Sequence, residues 1–544
     1  MQLIRLFTDA DLTTRKEVLV TALISSVAGV SLLALINSAS EIAARHEPIP
    51  VRSMFLYMIC FGIFYLGNRA SLLSAYDLVE TALQKLRQRV SRKICRAELL
   101  TVDRLGRGEL YTTFSEATNN LSQVTPALVA GMQQGLLAIA CVIYITTLST
   151  TGFMVVAGVT ALAAFFFIRS RKAQQNIHQE LAETEASLLD SVSAFVDGFK
   201  EIRVSYKKST ALHQSFQETA AVNEKSKLRL AESWTFTTLF TNLYLYVLLA
   251  ILVFVLPQFV ADLDQTIIKL TAACLFIIGP INTVVNILPS VDQAESALTA
   301  LSLLEERLES IEDSLAEENE DAPLFEQFEK LQFTDAVFHY RADDGEVTFT
   351  SGPWSLSAKP GELIFLVGGN GSGKSTVLKL LTGLYPLESG TIELNESELA
   401  PDILRPLREM YSGVFSDFHL FDRLYGLEGV EPAEVQTMIE RMELKDKVCY
   451  EDGRFSTLSL STGQRKRLAL IVALLEDKPV YVFDEWAADQ DKHFRDEFYH
   501  KILPDLAARK KTVFVVTHDD RYWHLADRVI KLDRGRFVQE GSQS

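Results

Sequence analysis

Paired cysteines and an excess of basic residues are missing from this sequence, and a removable leader is not expected. The five cysteines, Cys60, Cys95, Cys141, Cys274 and Cys449, stand far apart without ligand-type spacing. That excludes a disulfide framework and a cysteine-held zinc, and leaves free thiols as the expectation. The net charge of −17 withholds the basic surface that nucleic-acid binding needs, so no nucleic-acid partner is expected. Met1 to Lys16 contains Arg5, Asp9, Asp11, Arg15 and Lys16, and no small-residue cleavage site follows the first apolar run. The run therefore reads as a retained span rather than a signal peptide.

Apolar length is abundant. Uncharged stretches cover Val18–Ser40, Ser53–Asn68 (continuing past Arg69 to Tyr76), Ala117–Ile168, Ser233–Ala261 and Leu270–Val291. A helix needs about 20 residues to cross a bilayer, so Ala117–Ile168 holds two spans that turn near Ser149-Thr150-Thr151-Gly152. The count is six, over roughly 17–40, 53–76, 122–147, 151–170, 235–261 and 267–290. Lys85, Arg87, Arg89, Arg92, Lys93, Arg96, Arg104 and Arg107 lie between the second and third spans, and ten Lys or Arg residues from Arg169 to Arg229 lie between the fourth and fifth. The opposite connections are short and carry few basic residues, which places both termini in the cytoplasm. The two basic segments are nearly free of proline and rich in helix formers. The spans are expected to continue as cytoplasmic rods, with tips at Gly106-Arg107-Gly108-Glu109 and Gly198-Phe199-Lys200-Glu201 that meet a nucleotide domain.

Glu305 to Asp321 holds nine acidic residues and one arginine, which reads as a solvated linker. After Pro323, short apolar runs alternate with helical segments, the pattern of an α/β domain. The expected fold is a membrane α-helical bundle over 1–302, a linker over 303–323 and an α/β P-loop ATPase domain over 324–544.

That last domain carries the chemistry. Gly368-Gly369-Asn370-Gly371-Ser372-Gly373-Lys374-Ser375-Thr376 follows the apolar Leu363–Val367 and precedes the helix-compatible Val377–Leu381. Glycines let successive backbone N–H groups close around phosphate oxygens at a helix start, Lys374 can reach the β/γ-phosphates, and Ser375 can hold Mg²⁺. Val480–Phe483 is an apolar run ending in Asp484-Glu485, where one carboxylate can hold the metal shell and its neighbour can polarise a water, although the pair could also be a helix N-cap. Leu460-Ser461-Thr462-Gly463-Gln464 precedes a helical segment and offers an anion N–H groups and a hydroxyl. Val513–Val516 ends in Thr517-His518-Asp519, and a histidine there is as readily structural as functional.

In their order and spacing these motifs resemble the ATP-binding cassette family. The resemblance implies that 368–375 is the Walker A loop, 460–464 the signature and Asp484 the Walker B aspartate. It makes Glu485 the catalytic base, Asp491 the D-loop aspartate, His518 the switch histidine and Tyr340 the aromatic that stacks on adenine. Six spans before one cassette resemble a type IV exporter half-transporter, which implies a homodimer with two composite ATP sites. Ser416 stands in Phe415-Ser416-Asp417 where the family usually has glutamine, so any contact from it to Mg²⁺ is weaker, and Thr462 replaces a glycine of the signature. The strings Phe415-Ser416-Asp417 and Asp484-Glu485-Trp486-Ala487-Ala488-Asp489-Gln490-Asp491 resemble the cyclic-peptide and siderophore exporter branch, which includes exporters of syringomycin-type lipopeptides, pyoverdine precursors and microcin J25. The implied function is ATP-driven export of a cyclic peptide, lipopeptide or peptide siderophore precursor across a bacterial inner membrane. A lipid flippase, a multidrug exporter and an ATP-regulated sensor or channel are the alternatives. Only about 16 residues precede the first span, too few for a leader-trimming protease, so the cargo is expected to arrive mature. Arg69 is charged at membrane depth, where it either lines a cavity for anionic cargo, snorkels, or pairs with a carboxylate.

Overall fold

Runs dominated by leucine, isoleucine, valine and alanine form long helices, because a chain in hydrocarbon must satisfy its own backbone hydrogen bonds. The computed structural model describes residues 12–259, 264–309, 328–342, 344–399 and 404–542. The chain divides into two compact units, Met1–Arg92 with Tyr111–Leu304, and Lys93–Leu110 with Glu305–Ser544.

The first unit is helical. Its long helices are Leu12–Ala44, Val51–Arg96, Arg107–Leu148, Thr150–Asp197, Tyr206–Ala250 and Asp264–Glu309; of the stretch expected over 235–261, residues 251–259 continue as a π-turn Ile251–Val255 and a short helix Leu256–Phe259, and 260–261 lie outside the described residues. Among the described residues, five of these helices are long and apolar enough to cross a membrane, and Thr150–Ala163 is a shorter apolar helix. Leu19, Leu23, Phe55, Ile59, Ile139, Phe236 and Tyr246 are exposed, as side chains facing lipid would be. Inward, Leu33, Ile145, Leu248, Leu270 and Ala273 pack together. Buried polar groups pair between helices: Asn37 Nδ2 donates to Tyr144 Oη at 3.1 Å, and Gln133 Nε2 to the Asn68 carbonyl at 3.3 Å. Pro280 and Pro289 both lie inside the helix Asp264–Glu309. The acidic stretch is helical as far as Glu309, and its residues 310–321 lie outside the described residues.

Among the described residues the second unit is built on three sheets. Its strands are β1 (Leu331–Arg341), β2 (Val347–Ala358), β3 (Leu363–Gly368), β4 (Ser389–Leu394), β5 (Ser397–Leu399), β6 (Tyr411–Val414), β7 (Tyr450–Glu451), β8 (Arg454–Phe455), β9 (Val480–Asp484), β10 (Thr512–Val516), β11 (Arg528–Asp533) and β12 (Arg536–Ser542). The central sheet has the order β12-β11-β3-β10-β9-β6 and is parallel except for its β12 edge; β2-β1-β4-β5 and β7-β8 form the others. β3, β9 and β10 are apolar on both faces because both faces are covered. Phe365, Tyr481, Phe483, Val513 and Val515 enter one core, while the alternate residues Ile364, Leu366, Val482, Phe514 and Val516 enter the other.

The short helix Leu99–Leu105 belongs to this unit, although it follows the helix Val51–Arg96. Leu99 and Leu100 pack on the second core, and Asp103 accepts from Tyr385 Oη at 2.8 Å and from Lys379 Nζ at 2.9 Å. Of the two expected tips, the one at Gly106 thus lies within the unit that carries the cassette motifs. The tip helix Phe199–Val204 lies in the first unit and exposes Phe199 and Val204.

Candidate functional site

β3 delivers the phosphate loop, and the loop's shape explains its glycines. Gly371 and Gly373 have φ of +74° and +100°, and a Cβ on Gly368 would lie 2.5 Å from the Leu532 carbonyl oxygen. The helix Lys374–Leu381 begins straight after, so its free N–H groups face the loop. Lys374 is buried and its Nζ donates to the carbonyls of Gly368 and Gly369 at 3.1 and 3.0 Å. Desolvation pulls the Lys374 ammonium below the usual lysine range, against the pull of Glu485 and Asp484. The Ser372 hydroxyl oxygen is buried and has no hydrogen-bond partner among the described residues.

β9 and β10 are parallel neighbours, with Asp484 opposite Val516, so their carboxyl ends bring three functional groups to this loop. Ser375 Oγ donates to Asp484 Oδ2 at 3.3 Å. Burial raises the Asp484 carboxyl above its usual range, and a hydrogen bond from the Ser416 hydroxyl opposes that rise. Ser416, in the loop after β6, therefore reaches the same carboxylate as Ser375. Glu485 adopts φ +51°, a left-handed conformation that is costly for a residue with a side chain. Its carboxylate makes no N-cap bond to the turn Trp486–Asp489; Glu485 Oε1 instead lies 3.0 Å from His518 Nε2.

Tyr340 on β1 pairs in register with Phe349 on β2, and their rings lie 6.2 Å apart. Both rings, residues 370–376 of the phosphate loop and Glu485 line one cleft of about 450 Å³. Phe349 carries no sequence motif; it joins the cleft through its register with Tyr340 on the neighbouring strand. The cleft does not include Ser461, Thr462, Gly463, Gln464 or Asp491. Ser461 caps the helix Thr462–Leu475 in a reciprocal arrangement with Gln464, and a Cβ on Gly463 would lie 2.8 Å from the Asp489 carbonyl oxygen. Asp491 caps the helix Lys492–Glu497 through the Phe494 N–H and pairs with Arg467 at 2.8 Å; both contacts hold its carboxyl below the usual range. Arg69 is exposed on the helix Val51–Arg96 and makes no ion pair among the described residues.

Sequence comparison agrees with this geometry in both halves. Residues 352–488 match the ABC transporter domain, and residues 18–281 match the ABC transporter transmembrane region. The chain is 32% identical to the ATP-binding protein SyrD of Pseudomonas syringae pv. syringae, over 96% of this chain and 93% of that protein. This chain belongs to the ABC transporter family. It is a multi-pass membrane protein whose ATP-binding domain makes it an ATP-driven transport ATPase. ABC transporters named as ATP-dependent lipid A-core flippases are similar at lower identity: 24% for that of Chromohalobacter salexigens, over 96% of this chain and 92% of the flippase, and 24% for that of Hahella chejuensis, over 92% and 87%.

Proposed function

We propose that this ABC transporter exports a cyclic peptide, lipopeptide or peptide siderophore precursor across the bacterial inner membrane, as a homodimer with both termini in the cytoplasm. The observation that carries the reading is the cleft lined by the phosphate loop and Glu485, with Asp484 bonded to Ser375 and His518 to Glu485, in a chain similar to SyrD along nearly its whole length. The strings around Ser416 and Asp484–Asp491, which resemble the peptide-exporter branch, support the choice of cargo.

In this reading the adenine stacks on Tyr340 beside Phe349, and the phosphates replace the Gly368 and Gly369 carbonyls as partners of Lys374. The N–H groups of 369–376 hold the phosphate oxygens. Glu485 takes the proton of the attacking water, and His518 orients its carboxylate through the bond to Oε1. Ser375, Asp484 and Ser416 fit an Mg²⁺ site: two hydroxyls meet one carboxylate whose burial in isolation is costly, and a divalent cation offsets that cost. When bound there, the cation neutralises charge on the β/γ-phosphates. Ser461, Thr462, Gly463, Gln464 and Asp491 lie off the cleft because they serve the ATP of the second copy.

The test is ATP-dependent uptake of a labelled lipopeptide into inside-out vesicles, with Glu485→Gln as the control. Uptake by the wild type alone supports the reading. Hydrolysis that is stimulated by lipid, without uptake, favours the second reading, a lipid flippase, which the similarity to the lipid A-core flippases motivates. Wild-type hydrolysis by Glu485→Gln refutes the base assignment.

A further inference from the structure

Lys466 is 4% exposed, and neither its place in the helix Thr462–Leu475 nor the proposed chemistry accounts for a buried ammonium there. Such a charge persists only when it is paired and hydrogen-bonded. Its Nζ meets the Glu485 carbonyl oxygen at 2.7 Å and Asp489 Oδ2 at 2.7 Å. In return Trp486, itself buried and stacked on Phe498 at 4.4 Å, donates Nε1–H to the Lys466 carbonyl at 2.8 Å. Gln490 adds a bond to the Gly463 carbonyl at 3.0 Å. The first turns of the signature helix and the segment from Glu485 to Gln490 are thereby held as one piece.

The carbonyl that Lys466 grips belongs to the residue with the left-handed backbone. A strained conformation lasts only where its surroundings over-determine it, and here the buried ammonium supplies a strong, charge-assisted restraint on that peptide plane. We infer that Lys466, with Asp489 as its counter-ion, is a positioning residue for ATP hydrolysis: it fixes the Glu485 backbone so that the carboxylate faces His518 and the cleft, and ties that setting to the signature helix. The inference rests on the reading of Glu485 as the base.

The test compares Lys466→Met and Asp489→Asn with wild type and Glu485→Gln, using the purified full-length transporter in lipid nanodiscs. Basal hydrolysis, KM for ATP and the melting midpoint are measured. Lys466→Met is expected to lower kcat about tenfold or more with KM within about twofold, since sub-ångström displacement of a reacting group costs turnover rather than binding. Asp489→Asn, which leaves the lysine in place, is expected to lower kcat about threefold. Wild-type kcat in Lys466→Met, or kcat, nucleotide affinity and melting midpoint all falling together, overturns the inference. If Lys466→Met does not accumulate as folded protein, Asp489→Asn decides, and a wild-type kcat there overturns it. Turnover retained in Glu485→Gln is a separate failure, that of the base assignment.

Discussion

Replacing Tyr385 by phenylalanine should loosen the helix Leu99–Leu105 without disturbing the core beneath it. Tyr385 is 2% exposed, and its ring contacts Phe338 and Tyr340 at 5.1 and 5.9 Å, contacts that phenylalanine keeps. What disappears is the hydroxyl, which donates to Asp103 at 2.8 Å and accepts from Lys379 at 3.1 Å. A hydrogen bond to a carboxylate contributes about 1.5–3 kcal/mol. The surviving Lys379–Asp103 pair joins side chains 25% and 31% exposed, where solvent limits its worth to at most about 1 kcal/mol. A net loss of about 1.5 kcal/mol follows, roughly tenfold in the opening equilibrium of that helix. Hydrogen exchange read by mass spectrometry on a peptide spanning 99–110 should therefore accelerate about tenfold, with β3 and β9 unchanged. Unchanged exchange over 99–110, or equal acceleration across the central sheet, would refute the reasoning.

Other perturbations probe other elements. Burial raises the Glu98 carboxyl above the ordinary 4.5, with Arg408 opposing; the native state therefore holds an extra proton, and stability falls as pH rises through the raised value. Glu98→Gln should melt about 2 °C higher at pH 8, and the gain should shrink toward pH 4.5; an equal gain at both pH values contradicts the burial argument. Gly413→Ala would put a Cβ 2.0 Å from the Val482 carbonyl oxygen between β6 and β9, and should cost about 3 kcal/mol, seen as a lower melting midpoint; an unshifted midpoint would show that the strands can part. Arg69→Gln should reduce transport of an anionic lipopeptide about fivefold while basal hydrolysis holds; unchanged transport removes Arg69 from the cargo path.

The motifs around the cleft were legible because they are contiguous at strand ends: a glycine-rich loop after β3, two carboxylates at the end of β9, a histidine after β10. Such motifs encode local backbone shape as well as chemistry. Phe349, which lines the cleft, and Lys466, which holds the Glu485 carbonyl, were not legible in the same way. Phe349 matters through its register with Tyr340, and Lys466 through two residues some 20 positions on that reach it only after β9 has entered the sheet. Asp103 lies among residues that read as part of a cytoplasmic rod, and nothing local separates the rod from a helix capped by cassette residues. The apolar spans were plain in composition, yet the polar residues between them, Asn37 with Tyr144 and Gln133 with Asn68, pair only in three dimensions.

The attachment of Asp103 to Tyr385 also sets a timetable for synthesis. The two residues are 282 positions apart, so the segment 93–110 leaves the ribosome long before its partner exists. At about 5–20 residues per second, the wait is roughly 15 to 60 seconds. β3 meets a similar delay, because its neighbours β10 and β11 come about 150 residues later. Membrane insertion of the early spans can proceed meanwhile, but the cassette cannot close its sheet until almost the last residues emerge. A chain that ends after the last span would leave Leu99, Leu100 and the Asp103 carboxylate without these partners.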